Sequence, residues 1–373
     1  MRKNLLSLFV AATLCTATMN ANEAGITATV VAYNPAPGQF INKLPIYEAG
    51  DDSLSMAALA ESKIVAKSMI TLGAFGGNVI FKLSAPMQNV EDAYDFSIFG
   101  NSFEGSSEPG IVSVSVDENR NGLPDDEWYE LEGAAWDSVG VIRNYSITYY
   151  KPTAELDAAT GNHPEYIRWK DNQDSTGWLP KNGFHPQSYY PLWYGDSITF
   201  TGTMLPNNCY DKSGNGSNWV LPGYEWGYVD NRKNADVDKN SFKIDHARNA
   251  AGERANLTHI DFIKVHNGMY AVNGWLGEAS TEVQEIKLLS PEYTEVDAPA
   301  GLATPNSKQA LIYSRNQNIF VNGAEAGTAI TIYSINGTML YNGVVSSTAE
   351  VVSVSYSGMA IVKVANQVVK ITL

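Results

Sequence analysis

The chain has 373 residues, of which 44% are hydrophobic and 17% charged, and it contains 31 glycines and 20 tyrosines. This composition excludes a disordered chain and is typical of a folded β protein with long loops. The formal net charge of −15 disfavours nucleic acid and anionic membranes as partners, because both attract positive charge. The length allows one large domain and a small one.

Residues 1–21 have the pattern of a secretory signal peptide. Two basic residues precede an apolar core, Leu5–Thr16, that is too short to span a bilayer, and small residues such as Ala17 and Ala21 follow it. We therefore expect an exported protein that is located at the cell surface or outside the cell. After cleavage only Cys209 would remain, so no intrachain disulfide is expected.

Residues 22–290 predict a large domain of many short strands separated by long, turn-rich loops. Apolar residues at helical spacing predict one helix at Ser53–Lys67, with Ser53 as its N-cap. We expect an all-β fold in which a large, jelly-roll-like β-sandwich with long loops carries this helix. The predicted strands are Ile26–Tyr33, Asn78–Leu83, Tyr94–Phe99, Ile111–Val116, Tyr145–Tyr150, Ser197–Thr201, His259–Val265 and Glu282–Leu288.

A candidate calcium-binding loop, Asp117–Trp128, follows the fourth of these strands. Calcium prefers six to eight hard oxygen ligands, and this loop offers acidic and amide side chains at alternate positions, with Gly122 for a sharp turn. Trp128 stands where an EF-hand has a bidentate glutamate, so Asp126, Glu127 or a residue distant in sequence would complete the shell. A solvated acidic turn is the alternative. The predicted ligands are Asp117, Asn119, Asn121, the Leu123 carbonyl, Asp125, Asp126 and Glu127.

Tryptophans and tyrosines are concentrated between Trp128 and Trp275, mostly beside Gly, Pro, Asn or Asp. Such positions are typical of loop–strand junctions, where a broad ring can stack on a flat ligand such as a sugar or a corrin. Packing of these rings beneath the long loops is the alternative. The predicted ligand-binding residues are Trp169, Asn172, Trp178, Tyr190, Trp193, Trp226, Asp230 and Asn231.

The sequence contains no nucleophile elbow and no zinc-protease helix, and its five histidines have no ligand spacing. Cys209 lies in a polar loop without a recognisable activating partner, so we interpret it as incidental. No catalytic residue is predicted, and an enzyme is the less favoured interpretation. Paired carboxylates for glycoside hydrolysis stay open, since 40 acidic residues always include some pair at a suitable separation.

The composition of the sequence changes at residues 291–305, which lack periodicity and are rich in Pro, Gly and small polar residues. This segment predicts a linker. Residues 306–373 then predict a small immunoglobulin-like β-sandwich with a hairpin turn at Asn336–Gly337. The segments Ile330–Gly337, Gly358–Val364 and Val369–Leu373 resemble the C-terminal sorting domain of the type IX secretion system. An inert immunoglobulin-like spacer is the alternative.

Ten short phrases occur in order across the large domain: Asn34–Phe40, Gly73–Gly77, Phe99–Ser102, Ser107–Ile111, Asp125–Leu131, Tyr145–Pro152, Ile167–Asn172, Tyr189–Trp193, Trp226–Asn231 and Gly274–Glu278. Together they resemble a family of bacterial exported proteins known as cell surface proteins. Members of that family are often encoded beside components of corrinoid (vitamin B12) uptake, so the resemblance implies cobamide capture at the outer surface.

We therefore expect an exported surface protein that is stiffened by calcium and captures a small ligand, a corrinoid (cobamide) in the first instance. A calcium-dependent glycan-binding module or a glycan hydrolase is the alternative. An outer-membrane transporter or the secretion machinery is the protein partner that these expectations suggest.

Overall fold

The computed structural model describes residues 25–153, 166–294, 310–315, 318–322, 324–347, 349–365 and 367–372. The predicted signal peptide at 1–21 and most of the predicted linker at 291–305 lie outside these residues. The chain divides into two compact units, with the boundary between residues 295 and 296. Within the described residues no helix is long and apolar enough to cross a membrane.

The all-β class is confirmed, because strands in several sheets form nearly all of the regular structure. The strands of the first unit are β1 (Ala28–Asn34), β2 (Ile70–Thr71), β3 (Asn78–Gln88), β4 (Phe96–Phe99), β5 (Gly110–Ser115), β6 (Trp128–Leu131), β7 (Ile142–Tyr150), β8 (Ile167–Asp171), β9 (Thr176–Leu179), β10 (Ser197–Met204), β11 (Tyr210–Asp211), β12 (Trp219–Val220), β13 (Ser241–Phe242), β14 (Ala247–Arg248), β15 (His259–Asn267), β16 (Glu282–Val283) and β17 (Glu285–Leu288).

Helix α1 (Ser53–Val65) is the α-helix of the described residues, and short 3-10 turns lie at Val237–Asn240, Ile244–His246 and Gly274–Leu276. The prediction that Ser53 caps α1 is wrong. Asp52 is the N-cap: its carboxylate accepts hydrogen bonds from the backbone N–H groups of Leu54 and Ser55, at 3.0 and 2.9 Å. The Ser55 hydroxyl accepts in return from the Asp52 N–H at 2.8 Å, which completes a capping box.

The main core of the first unit lies on one face of a six-stranded sheet with the order β1-β3-β15-β5-β6-β14. Alternate residues of these strands point into that core, for example Val79 and Phe81 of β3 and Ile263 and Val265 of β15. Helix α1 and the three-stranded sheet β13-β4-β17 contribute further apolar side chains to the same core. This arrangement is a sandwich of sheets, as the sequence predicts.

The opposite face of the six-stranded sheet carries polar side chains at the intervening positions, among them Ser113, Glu130, Lys264 and His266. A four-stranded sheet, β10-β7-β8-β9, has its own apolar cluster built on aromatic residues of β7 and β10. The two sheets meet where His266 hydrogen-bonds the Thr203 carbonyl oxygen at 3.2 Å. Polar residues are therefore enclosed between two sheets, which creates the cleft described below.

The second unit contains two sheets, β18-β19-β22 and β21-β20-β23-β24, whose buried side chains form a separate core. The predicted turn at Asn336–Gly337 joins β20 to β21, and Gly337 adopts φ +81° there. The strands are β18 (Leu311–Arg315), β19 (Asn318–Asn322), β20 (Ala329–Ser334), β21 (Met339–Val344), β22 (Ala349–Ser353), β23 (Met359–Val364) and β24 (Gln367–Thr372).

Candidate ligand-binding cleft and cation-binding loop

A cleft of about 230 Å³ lies over the polar face of the six-stranded sheet, and β7 and β10 of the four-stranded sheet form its other wall. Gly202 allows β10 to approach this face closely, because a Cβ atom there would lie 2.9 Å from the His266 Nε2 atom. The lining residues are Gly76, Asn78, Ser113, Trp128, Glu130, Trp136, Arg143, Asn144, Thr201, Gly202, Thr203, Arg248, Asn249, Ala250, Lys264 and His266.

Two tryptophans and three basic residues give the cleft its chemical character. The Lys264 ammonium lies over the Trp128 ring, 4.3 Å from its centroid, and the Arg143 guanidinium lies 4.2 Å from the centroid of Trp136. Arg248 approaches the same Trp136 ring at 5.8 Å. Cation–π contacts hold flat rings and positive charge side by side, so the cleft suits a ligand with both a flat face and an anionic group.

The side chains at the cleft are held in place by neighbouring groups. Arg143 donates to the Trp136 carbonyl oxygen at 3.0 Å, and Arg248 forms a charge-assisted pair with Glu132, in which Nε donates to Oε2 at 2.9 Å. The Thr203 hydroxyl donates to the Glu130 carboxylate at 2.6 Å. These contacts fix the rotamers of the lining residues before any ligand arrives.

Burial shifts the pKa values of three residues that line the cleft. Desolvation lowers the pKa of Lys264 to about 8, although the nearby Glu130 carboxylate opposes this shift. Desolvation also lowers the pKa of His266 to about 4, and the positive charge of Lys264 adds to that effect. The pKa of Glu130 is raised by desolvation. At neutral pH His266 is therefore uncharged, and Lys264 is the titratable cation of the cleft.

The predicted calcium loop has the compact conformation that its sequence suggests. The Asp117 carboxylate accepts hydrogen bonds from the N–H groups of Asn121 and Gly122 at 3.0 and 2.8 Å. Gly122 makes the sharp turn at φ +74°. The Asn121 side-chain amide donates to the Asp125 carboxylate at 3.0 Å, and the Asn119 amide donates to Asp125 and Asp126 at 3.2 Å each. These five predicted ligands thus face one another.

The other two predicted loop ligands are Glu127 and the Leu123 carbonyl. The Glu127 carboxylate accepts from the Tyr129 hydroxyl at 3.1 Å. The Leu123 N–H donates to the Asn121 side-chain oxygen at 2.7 Å, which holds the Leu123 backbone to the loop. Asp261 of β15 lies beside the loop and accepts from the Asp117 N–H at 2.8 Å. The Asp126 Oδ2 atom is buried without a hydrogen-bond partner, which is the position of an oxygen that a cation would satisfy.

The eight residues predicted to bind a ligand are not brought together. Tyr190 is 1% exposed and donates its hydroxyl to the Gly195 carbonyl oxygen at 2.9 Å, so its ring belongs to the core. Trp193 is stacked against Tyr33 and Tyr47, with ring centroids 6.2 and 6.0 Å away. Both rings are packed against neighbouring residues, as the alternative interpretation of the aromatic residues expects.

Trp169 and Trp178 are half-buried on the adjacent strands β8 and β9, and Trp169 packs edge-on against Tyr270 at 5.2 Å. Trp226 lines a separate cavity of about 390 Å³, where its ring lies 5.2 Å from that of His246. Neither group shares the cleft between the two sheets.

The three polar residues of the predicted ligand set have structural partners. Asn172 is exposed, donates to the Asn144 carbonyl oxygen at 2.9 Å and accepts from the Ser146 N–H at 3.1 Å. Asn231 is buried and exchanges two hydrogen bonds with the Tyr224 backbone. Asp230 is completely buried, so it cannot meet a ligand at the surface.

The alternating sequence pattern of two strands indicates some of the residues that line the cleft. Trp128 and Glu130 alternate along β6, and Lys264 and His266 alternate along β15, each pair separated by a residue that faces the core. Period-two alternation places each pair on the polar face, but the pairing of β5 with both β6 and β15 is what brings them together. That long-range pairing has no local signature.

Comparisons with known proteins do not assign the chain to a family. No protein-family model and no curated protein matches it. The adhesin domain of Epf from Streptococcus pyogenes is a structural neighbour with 10% sequence identity and a TM-score of 0.14, and the match covers 79% of this chain and 71% of that chain. A TM-score at this level carries no argument about fold or function, so the assignment of a role depends on the residues of the site.

Proposed function

We propose that this is an exported surface protein that captures a cobamide in the cleft between the two sheets, with calcium bound at the Asp117–Glu127 loop. The observation that carries the proposal is the placement of Arg143 against Trp136 and of Lys264 against Trp128 within one cleft. A cobamide combines a phosphodiester with a flat aromatic base in its nucleotide loop. These are the two chemical features that such a cleft favours.

The size of the cleft limits how a cobamide would bind. Its volume of about 230 Å³ is below the ~300–1,000 Å³ of typical ligand pockets. The nucleotide loop would therefore enter, while the larger corrin ring would remain at the rim, beside Trp136 and Asn249. The resemblance of the large domain to proteins associated with corrinoid uptake agrees with this assignment, and an outer-membrane transporter is the partner that would receive the ligand.

An acidic glycan is the second candidate ligand, and the small volume of the cleft favours it. One sugar ring could stack on Trp136 while its carboxylate pairs with Arg143 or Arg248. Hydrolysis of such a glycan gains no support, because Glu130 is the single carboxylate among the described residues that line the cleft. Glycoside hydrolysis by the usual route needs two carboxylates across the scissile bond.

The calcium part of the proposal is supported by the donor set of the loop. Asp117, Asp125 and Asp126 offer carboxylate oxygens, and the unpartnered Asp126 Oδ2 leaves one oxygen unsatisfied. Asn119 and Asn121 direct their amide N–H groups at these carboxylates, so both amides would have to turn their oxygens inward to ligate a cation. Bound calcium would keep the β5–β6 connection, and hence Trp128, in a fixed position.

The capture proposal predicts that Trp136→Ala weakens binding of cobalamin by roughly thirtyfold, which corresponds to about 2 kcal/mol for loss of an aromatic anchor. Isothermal titration of the full chain with cobalamin measures this change. Trp275→Ala removes an exposed tryptophan outside the cleft, so it is the matched control and should bind like the unchanged protein.

Two further ligands separate the candidates. Cobinamide, which lacks the nucleotide loop, should bind much more weakly than cobalamin if that loop enters the cleft. Polygalacturonate, compared with a neutral dextran, tests the acidic-glycan alternative. No heat with cobalamin alongside clear binding of polygalacturonate would reject cobamide capture, and release of reducing ends in the same sample would indicate a hydrolase.

A further inference from the structure

Three carboxylates from distant parts of the chain meet in the interior of the first unit, away from both the cleft and the Asp117 loop. Glu108, Asp230 and Glu282 each place an oxygen within 4.8 Å of the others. Asp230 and Glu282 are buried, at 0% and 2% exposure, and Glu108 is partly exposed. Among the described residues this is the single group of three or more acidic, imidazole or thiol side chains at such mutual distances.

Outside the cluster, the hydrogen-bond partners of these carboxylates are uncharged. Asp230 accepts from the N–H groups of Asn101 and Glu282 at 2.7 and 2.9 Å, and Glu108 accepts from the Ser280 N–H at 2.9 Å. None of the ion pairs in the described part of the chain includes a residue of this cluster. Burial without a compensating cation costs several kcal/mol per charge, so the negative charge requires a counter-ion or protons.

The cluster also affects the titration of its members. Desolvation, reinforced by the charge of Asp230, raises the pKa of Glu108 to about 8. Desolvation raises the pKa of Asp230 to about 7. A side-chain hydrogen bond with Glu282 opposes the shift for both residues.

Two buried oxygens without partners belong to residues beside the cluster. The backbone N–H of Ser102 faces the Asp230 carboxylate, and the Ser102 hydroxyl is buried with no hydrogen-bond partner. Glu278, at 3% exposure, uses Oε1 to accept from the Gln39 N–H at 2.5 Å, while its Oε2 atom has no partner. A buried polar atom left unsatisfied costs about 1–3 kcal/mol, so a cation bound beside these two oxygens would be stabilised by them.

The position of Glu278 follows from strand geometry. Residues 278, 280 and 282 alternate along an extended segment, so their side chains share one side. Ser280 and Glu282 both meet the Thr71 hydroxyl on that side, at 2.5 and 3.1 Å. The charge of Glu278 also contributes to the raised pKa of Glu108.

We propose that Glu108, Asp230 and Glu282 bind a hard divalent cation, calcium by size, with the hydroxyls of Thr71 and Ser280 completing the oxygen shell. Calcium–oxygen bonds of about 2.3–2.6 Å place opposite ligands roughly 4.6–5.2 Å apart, and the observed oxygens lie within 4.8 Å. A set of carboxylate and hydroxyl oxygens without nitrogen or sulfur selects calcium, magnesium or manganese over zinc and copper. The inference does not depend on what the cleft binds.

The surrounding backbone is shaped to hold this cluster. A Cβ atom on Gly100 would lie 2.3 Å from the Asp230 Oδ1 atom, so only glycine lets the chain wrap the carboxylate so closely. Glu282 belongs to β16, which pairs with β2 through the contact of Glu282 with Thr71. A cation here would tie residues 100–110, residue 230 and residues 278–282 together, in the role that a disulfide fills in other exported proteins.

Metal analysis of the full chain tests the proposal in a background in which the loop is disabled by Asp117→Asn and Asp125→Asn. After exposure to calcium and removal of free metal, this protein should retain about one calcium ion per chain. Adding Glu108→Gln should abolish that retention, because it removes a charged ligand. The variant should still fold, because glutamine keeps the shape of the side chain and Glu108 is partly exposed.

Asp95→Asn is the matched control. Asp95 is also fully buried, but its carboxylate accepts from the Val90 N–H, the Ile244 N–H and the Ser290 hydroxyl, so it needs no cation. This variant should unfold at a lower temperature and still retain the metal.

Three results would overturn the proposal. A folded loop-disabled protein that retains no divalent metal would show that the cluster is neutralised by protons. Undiminished retention after Glu108→Gln would place the metal elsewhere. If the loop-disabled protein does not fold, the unchanged chain decides: about two calcium ions per chain, reduced to one by Glu108→Gln, support the site, and one ion unaffected by that change rejects it.

Discussion

Lys264 shows how its position on a sheet changes the chemistry of a single residue. A lysine on an exposed strand has a pKa near 10.4, but Lys264 is enclosed between two sheets and its pKa falls to about 8. The groups around it are Glu130, Trp128 and His266, and Arg143 of β7 and Arg248 of β14 also line the cleft. Of these cations, Lys264 is the one that loses its charge within a moderately alkaline range.

This shift predicts a pH dependence of binding. Lys264 is protonated below its pKa of about 8, so the affinity for an anionic ligand should be full at neutral pH and should fall as the pH rises through 8. Titration calorimetry with cobalamin on either side of this pKa measures the change. Lys264→Arg is the control, because arginine stays charged and should remove the pH dependence. Equal slopes for the two proteins would contradict the role of Lys264.

At the scale of single residues, the sequence indicated that some tryptophans would line a cavity at the surface but not which ones. The preference for tryptophan beside polar residues is met by Trp128 and Trp136, which line the cleft. Tyr190 and Trp193 have the same local surroundings but lie in packed clusters. Local sequence cannot separate the two outcomes, because the long-range strand pairing decides which rings are covered.

At the scale of secondary structure elements, the N-terminus of α1 provides a direct test. Asp52→Ala removes the carboxylate that accepts from Leu54 and Ser55, so the melting temperature of the first unit should fall by a few degrees. Ser53→Ala changes a neighbour that does not cap the helix and should have little effect. Thermal unfolding followed by circular dichroism compares them. A larger loss from Ser53→Ala would contradict the assigned cap.

Strand positions were largely predictable because alternation is a local property. The strand predicted at Asn78–Leu83 is observed as part of Asn78–Gln88, and that predicted at His259–Val265 continues to Asn267. The segment predicted as one strand at Glu282–Leu288 is two strands that join different sheets. The break at Gln284 depends on the partners β2 and β4, which local sequence does not reveal.

At the scale of the whole molecule, the two units should respond differently to calcium removal. EGTA should lower the melting temperature of the first unit and leave that of the second unit unchanged, because the predicted ligands all lie before residue 295. A ligand that binds only the native state contributes about 2.7 kcal/mol at a hundredfold excess over its dissociation constant. Differential scanning calorimetry of the full chain resolves the two transitions.

Two substitutions separate the contributions of the Asp117 loop and of the buried carboxylate cluster to this change in melting temperature. Asp117→Ala should remove the part of the EGTA-induced decrease that comes from the loop. Combining it with Glu108→Gln should remove the rest of the decrease. An identical melt of the first unit with and without EGTA would argue against calcium at either place.

The resemblance of the second unit to a secretion sorting domain stays a prediction. A deletion of the chain after residue 295 would test it by its effect on export.

The order of the six-stranded sheet has a consequence for how the molecule acquires its shape. Its central strand, β15, is the last of the six along the chain, yet it joins β3 to β5. Until residue 267 is available, β1-β3 and β5-β6-β14 are separate ribbons with no strand to join them. Sheets that depend on such distant pairings form slowly. The six-stranded sheet therefore cannot close until the chain has been synthesised as far as β15, which makes β15 the strand on which formation of the whole sheet depends.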